Sequence, residues 1–340
     1  MKKFEIIVAG CGSMSKEWVK YALSREDCSI AGLVDIKKEN AEALANKYGL
    51  DTGIFTELNE ALQAARANLV FDVTLPGSHK DIVTTALKAG CDVFGEKPMA
   101  ASLQEAAEMV KTTADTGKTY AVMQNRRFHK NGRAFRHLLS SGVIGKPGFM
   151  CSDFFLGPHF GGFRDLMDSP LLLDMSIHTF DQARFYSGAD PISVYCHEFN
   201  PEGSWYSGNA SAVCIFEFTG GLVFNYRGSW CAEGCNTSWD AAWRVIGSKG
   251  TACWDGEGEP YCEIALPSGE NHSIRKTRKV KAEYVWNGRD GHFGCLDEMF
   301  ASLLEDRKAE TDCTDNIKSI AMVYGAIQSA KEGRKISLDF

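Results

Sequence analysis

The stretch Phe4-Glu5-Ile6-Ile7-Val8-Ala9-Gly10-Cys11-Gly12-Ser13-Met14-Ser15-Lys16 decides the fold. Ile6, Ile7 and Val8 are consecutive rather than alternating, as in a strand buried on both faces. Gly10-Cys11-Gly12-Ser13-Met14-Ser15 follows at once, and a helix-like run, Lys16–Arg25, comes after it. Strand, glycine turn and helix in that order form the G-x-G-x-x-G arrangement, with Ser15 at the third small position. Gly10 permits the tight turn and Gly12 lets the backbone approach a pyrophosphate. The helix start supplies amide donors and positive dipole, so Gly10, Gly12, Ser13 and Met14 are read as a dinucleotide-binding turn.

The next strand, Ile30–Val34, is followed by Asp35, twenty residues beyond Ser15. A carboxylate there belongs to a ribose-binding site and argues for NAD over NADP. Lys37 and Lys38 lie just beyond and would soften the repulsion of a 2′-phosphate, which keeps NADP open. A glycine-rich turn with no ligand is the plain alternative.

Working outward, helices are expected at Lys37–Tyr48, Leu58–Ala65, His79–Ala89 and Leu103–Thr116. Strands are expected at Leu69–Val73, Val93–Gly95 and Thr119–Met123. Ser102 with Glu105 forms a capping box for the last helix. The alternation predicts a doubly wound parallel sheet of α/β class over 1–125. After a helix near Lys130–Ser140 the pattern becomes strand upon strand, from Met150–Phe155 to Tyr261–Leu266. Gly220-Gly221 and Ser248-Lys249-Gly250 read as hairpin turns. One helix, about Leu171–Phe185, interrupts them, and helices His292–Glu305 and Asp315–Glu332 close the chain. The second domain, 126–314, is expected to be α+β with an open, mainly antiparallel sheet, and helix 315–332 to pack back on the first domain.

The chain has 340 residues, long enough for two domains, and 24% of them are charged. Its net charge of −7 leaves no basic excess for gripping phosphate backbones, so a nucleic-acid partner is not expected. No run reaches transmembrane length, and the apolar core Ile6–Ala9 is shorter than a signal-peptide segment, so no membrane partner is expected. The twelve cysteines include no C-x-x-C pair and no zinc spacing. They read as reduced thiols of a cytoplasmic protein, with no metal site.

Two further motifs carry chemistry. Glu96-Lys97-Pro98 follows a short strand, at the carboxyl end where open α/β sheets bind ligands. A lysine there donates to a substrate oxygen, and Pro98 restricts Lys97 and suits a cis bond. A surface loop with an ordinary ion pair is the alternative. In Asp174-Met175-Ser176-Ile177-His178, helical spacing places Asp174, His178 and Asp181 on one stripe. A carboxylate one turn from an imidazole orients it and raises its basicity, which suits a general base. Partly buried polar residues of a structural helix are the alternative.

These motifs, with Gln124-Asn125-Arg126-Arg127-Phe128 and the hairpin Val245–Thr251, resemble the glucose-fructose oxidoreductase / inositol dehydrogenase (Gfo/Idh/MocA) family over nearly the whole chain. The resemblance implies a Rossmann domain, then an α/β domain whose open sheet serves a homodimer or homotetramer. It implies hydride transfer between NAD(P) and a secondary hydroxyl of a sugar, glycoside or cyclitol. By position, His178 would be the general base, Asp174 its partner or a substrate contact, and Lys97 a proton relay. Thr74, Pro76 and His79 match a cofactor-contacting loop, alongside Glu96 and Lys97. Gln124 and Arg126 would lie near the nicotinamide. Many members carry three glycines before the D-x-x-x-H helix, whereas this chain has Asp168-Ser169-Pro170-Leu171-Leu172-Leu173. Its glycines lie earlier, in Gly157-Pro158-His159-Phe160-Gly161-Gly162-Phe163-Arg164, which makes His159 and Arg164, with Arg126, candidate substrate contacts. Relatives that hold NAD tightly to cleave glycosides or exchange hydride between sugars, and relatives that act as nucleotide-responsive regulators, give two alternative readings.

Overall fold

The computed structural model describes residues 4–267 and 273–340. The chain divides into two compact units, Met1–Asn125 with His292–Ile320 and Arg126–Gly291 with Ala321–Phe340.

The first unit is built on six strands: β1 (Phe4–Ala9), β2 (Cys28–Val34), β3 (Gly53–Phe55), β4 (Leu69–Asp72), β5 (Asp92–Gly95) and β6 (Tyr120–Val122). Their order is β3-β2-β1-β4-β5-β6, with every pairing parallel. This is the doubly wound dinucleotide-binding order. The connecting helices are α1 (Ser15–Leu23), α2 (Lys38–Tyr48), α3 (Leu58–Ala64), α4 (Pro76–Lys88) and α5 (Leu103–Thr116). Ile6, Ile7, Val8 and Ala9 are fully buried, as a strand covered on both faces requires. The Ser102 hydroxyl accepts from the Glu105 amide, and the Glu105 carboxylate accepts from the Ala101 amide. The short β3, Gly53-Ile54-Phe55, carries too little pattern to be read from sequence.

The second unit begins with α6 (Lys130–Ser140) and β7 (Pro147–Phe155). The long central helix does not run as one α-helix from Leu171. Leu171–Ser176 is a π-helical turn, and α7 spans Ile177–Ser187. Strands β8 (Pro191–Phe199), β9 (Ser211–Phe218), β10 (Val223–Ser229), β11 (Ala242–Gly247), β12 (Gly250–Trp254), β13 (Tyr261–Ala265) and β14 (Thr277–Lys281) follow. After α8 (Gly291–Leu304) and α9 (Cys313–Glu332), β15 (Ile336–Ser337) joins the same sheet. Its order is β14-β13-β12-β11-β7-β10-β9-β8-β15. Among the described residues of this sheet only the β7–β10 pair is parallel. Edge strand β14, Thr-Arg-Lys-Val-Lys, is mostly exposed and charged, which hides it from an apolar-pattern reading. Helix α7 is buried along Ile177–Tyr186. Phe180 lies 4.8 Å from Phe216 and 5.1 Å from Tyr226, edge to face, which fixes the helix on the inner sheet face.

Residues 292–314, placed by sequence in the second domain, group with the first unit. The cause is aromatic: Phe300 of α8 packs against Phe4, Phe71 and Phe94 at 4.9, 6.2 and 5.2 Å. Of helix 315–332, expected to pack back on the first domain, only 315–320 group with it, and 321–332 belong to the second unit.

Candidate active site

In the first unit the turn after β1 is shaped by close backbone approach. A Cβ on Gly10, whose φ is +87°, would lie 2.5 Å from the Val73 carbonyl oxygen, so only glycine fits. A Cβ on Gly12 would meet nothing within 4 Å. Open space therefore faces the start of α1, where no side chain caps the amides. Ser13 and Met14 are exposed there. Ser15 is buried and donates to the Gly12 carbonyl at 2.7 Å. At the end of β2, Asp35 accepts from the Cys11 amide at 2.8 Å and the Lys37 amide at 2.9 Å. Its carboxylate is thereby held beside the glycine turn. Burial and the Asp35 charge push the Cys11 thiol up to about 12, so it stays a neutral thiol. A glycine that cannot be replaced, open space before uncapped amides and an anchored carboxylate fit NAD, which would lie on Gly12–Met14 with its ribose on Asp35.

The remaining cofactor candidates divide. Pro76 opens α4, and the Thr74 hydroxyl donates to Asp72 at 2.6 Å. His79 is not presented to a ligand: its ring is fully buried, with Nδ1 2.7 Å from Asp72 Oδ2. Glu96 also turns inward and accepts from Trp18 Nε1 at 2.7 Å. Lys97 is half-buried and its bond to Pro98 is cis. Gln124 is buried. Asp72 escaped the sequence reading, although an acidic residue inside Leu69-Val70-Phe71-Asp72-Val73 was the available signal.

In the second unit Asp174 sits on the π turn and His178 in the first turn of α7, with His178 only 6% exposed. The α-helical stripe expected for Asp174, His178 and Asp181 is broken because π geometry does not keep α spacing. Asp174 Oδ2 accepts from Arg164 Nε at 2.8 Å. Asp181 instead holds Arg127 through two bonds of 2.6 Å, buried. Arg126 is enclosed, and burial pulls its pKa down against the opposing pull of Asp240, Tyr186, Tyr226 and Asp174. Its Nη1 is buried without a hydrogen-bond partner. Asp240, also missed from sequence, accepts from Gln182 Nε2 at 2.9 Å and lies 2.8 Å from His129 Nδ1. Neighbouring Arg164, Phe160 and Phe163 form an exposed aromatic rim, with the guanidinium 5.6 and 4.8 Å from the two ring centres. His159 stacks on Trp205 at 3.8 Å and pairs with Glu233 at 2.8 Å in the open.

All twelve cysteines are free thiols. Among the described residues no helix is long and apolar enough to cross a membrane.

Fold and turn chemistry together define a Rossmann-type NAD-binding oxidoreductase with a second α/β domain. "Oxidoreductase family, NAD-binding Rossmann fold" matches residues 4–124, and "Oxidoreductase family, C-terminal alpha/beta domain" matches 136–338. The chain belongs to the Gfo/Idh/MocA family. It is 24% identical to an inositol 2-dehydrogenase of Rhizobium meliloti over 97% of each chain. It is 28% identical to a D-glucoside 3-dehydrogenase of Escherichia coli over 58% of each. Its fold is shared with an oxidoreductase from Agrobacterium radiobacter crystallised with NAD+, L-tartaric acid and magnesium. That likeness has a TM-score of 0.86 at 20% identity, covering 99% of each chain.

Proposed function

We propose that this protein oxidises or reduces a secondary hydroxyl position of a sugar, glycoside or cyclitol, with His178 as general base, Asp174 as its partner or a substrate contact, and Lys97 as a proton relay. The carrying observation is the Arg164–Asp174 bond on the π turn that leads into His178. It fixes a carboxylate four residues before an almost buried imidazole. The relatives named for inositol and glucoside oxidation support the substrate class. NAD, when bound, supplies the hydride acceptor. His178 takes the hydroxyl proton, and Lys97 donates to the same oxygen as negative charge grows on it. Arg126, with an unused buried N–H, and Arg164 serve substrate oxygens, and His159 lies at the outer edge of that loop.

The outward face of the nine-stranded sheet exposes Ile192, Tyr195, Phe199, Val213 and Ile215 on neighbouring strands β8 and β9. We assign this face to a second copy of the chain, and the protein to the cytoplasm.

The test is a panel of sugars, glycosides and cyclitols assayed for NAD reduction with native and His178→Asn protein. Turnover should fall by about 10²–10⁴ in the variant, the range for a lost general base, with NAD binding retained. Native-like turnover in the variant refutes the assignment.

A further inference from the structure

The Asp72–His79 pair lies outside the chemistry above, yet it is the most enclosed ionisable cluster of the first unit. Asp72 ends β4 and His79 stands in the first turns of α4, and both are fully buried. Asp72 Oδ1 accepts from the Thr74 amide at 3.2 Å and the Thr74 hydroxyl at 2.6 Å. Its Oδ2 takes His79 Nδ1 at 2.7 Å. The Asp72 carbonyl accepts from the Glu96 amide at 2.9 Å, one residue before Lys97. The Glu96 carboxylate in turn holds Trp18 of α1. The Thr74 amide nitrogen is one of the atoms that exclude a side chain at Gly10, 2.7 Å from the site of its absent Cβ. The Asp72 carboxylate thus fixes the turn after β4, which lies against Gly10 in the turn after β1, and the backbone carbonyl of the same residue joins the segment after β5.

We propose that His79 is a positioning residue for NAD: by holding Asp72, it sets the Thr74 turn against Gly10 and the start of the Glu96-Lys97 loop. This rests on the NAD-binding assignment of the first unit and on no choice of substrate.

The charge balance supports it. The groups facing the imidazole are Asp72 from β4 and Glu96 from the segment after β5. Tyr120 of β6, near Asp72, is kept neutral because burial raises its phenol well above the ordinary value. Burial alone would lower the His79 pKa, but the Asp72 charge, its hydrogen bond and Glu96 outweigh it, and the net shift is upward from 6.5. The sign follows. The protonated ring is present below the ordinary histidine value, and its contribution is lost as pH rises through the raised value. Deprotonation leaves Asp72 and Glu96 with less compensation, so the turns loosen on the alkaline side. The enclosed Nε2 has no hydrogen-bond partner, so the ring's polar anchor is Asp72.

The experiment is NAD affinity measured by calorimetry without substrate, against pH, for the native protein, His79→Asn and His79→Leu. Native affinity should weaken as pH rises above the ordinary histidine range. His79→Leu should weaken NAD binding about tenfold at neutral pH, as for a lost hydrogen bond to a charged group. His79→Asn keeps a donor for Asp72 and should recover part of that loss without the pH dependence. A folded His79→Leu protein with native affinity overturns the proposal. If that variant does not fold, a pH-independent native affinity overturns it equally. Absence of NAD binding in the native protein would instead refute the cofactor assignment itself.

Discussion

Arg164 Nε donates to Asp174 Oδ2 at 2.8 Å, joining the glycine-bearing loop to the π turn. The loop carries Gly161 and Gly162, both with positive φ, and a short 3-10 turn over Gly162–Leu166. It is pinned from behind by the Ser207 and Asn209 amides, which donate to the Asp165 and Asp168 carbonyls at 2.8 Å each. A Cβ on Gly208 would lie 2.1 Å from the Asp168 carbonyl, so this contact needs glycine. In this chain an arginine of the glycine-bearing loop places the Asp174 carboxylate.

Arg164→Ala should therefore act on catalysis through Asp174. Loss of a charge-assisted hydrogen bond between partly enclosed groups corresponds to roughly a tenfold fall in kcat/KM. Arg164→Lys should recover little, since an ammonium does not reproduce the guanidinium geometry. Steady-state kinetics with unchanged NAD affinity is the check. Native kcat/KM in the alanine variant would remove Arg164 from the site.

Asp35 accepts two backbone amides beside the glycine turn. Asp35→Ser should weaken NAD binding about tenfold and narrow the preference over NADP, because the repulsion of a 2′-phosphate goes with the carboxylate. Titration with each nucleotide separates the effects. Equal losses for both nucleotides would show that Asp35 only shapes the turn.

The Arg127–Asp181 pair is structural. Its side chains are 5% and 2% exposed, and Arg184 lies a further 3.8 Å from the same carboxylate. Asp181→Ala should cost about 3–5 kcal/mol by removing a carboxylate that holds a buried guanidinium. The double variant Arg127→Met, Asp181→Leu should regain most of it. Urea unfolding followed by tryptophan fluorescence reads both.

Sequence made the Rossmann half legible because its signals are local. The Ile6-Ile7-Val8 run, the Gly10–Ser15 turn and Asp35 each act within one βα unit. Glu96-Lys97-Pro98 and the His178 helix were legible as motifs. The contacts made by their side chains were not, because they depend on distant chain. The Asp72 carbonyl meets the Glu96 amide, and the Glu96 carboxylate meets Trp18, only when β4, β5 and α1 assemble. The π turn was invisible because Leu171–Ser176 has an ordinary helical composition, and Asp181 was drawn to Arg127 by burial rather than by helical phase. Residues 292–314 followed Phe300 into the first unit, which a linear reading of boundaries could not anticipate.

Glu198 gives a pH signature of its own. It lies near the end of β8, where it accepts from the Ser169 hydroxyl at 3.0 Å, just before the π turn. Burial raises its pKa from 4.5 to about 7, only partly offset by hydrogen bonds from Ser169 and Asn209. The folded chain then holds a proton that the unfolded chain has released, so stability falls as pH rises from 4.5 through 7 and levels off above it. Glu198→Gln should remove that slope and be the more stable protein at pH 8, with the two converging near pH 4, roughly below both titrations. Thermal melts across this range are the check. Parallel curves for the two proteins would mean that the carboxyl titrates in the fold as it does in water.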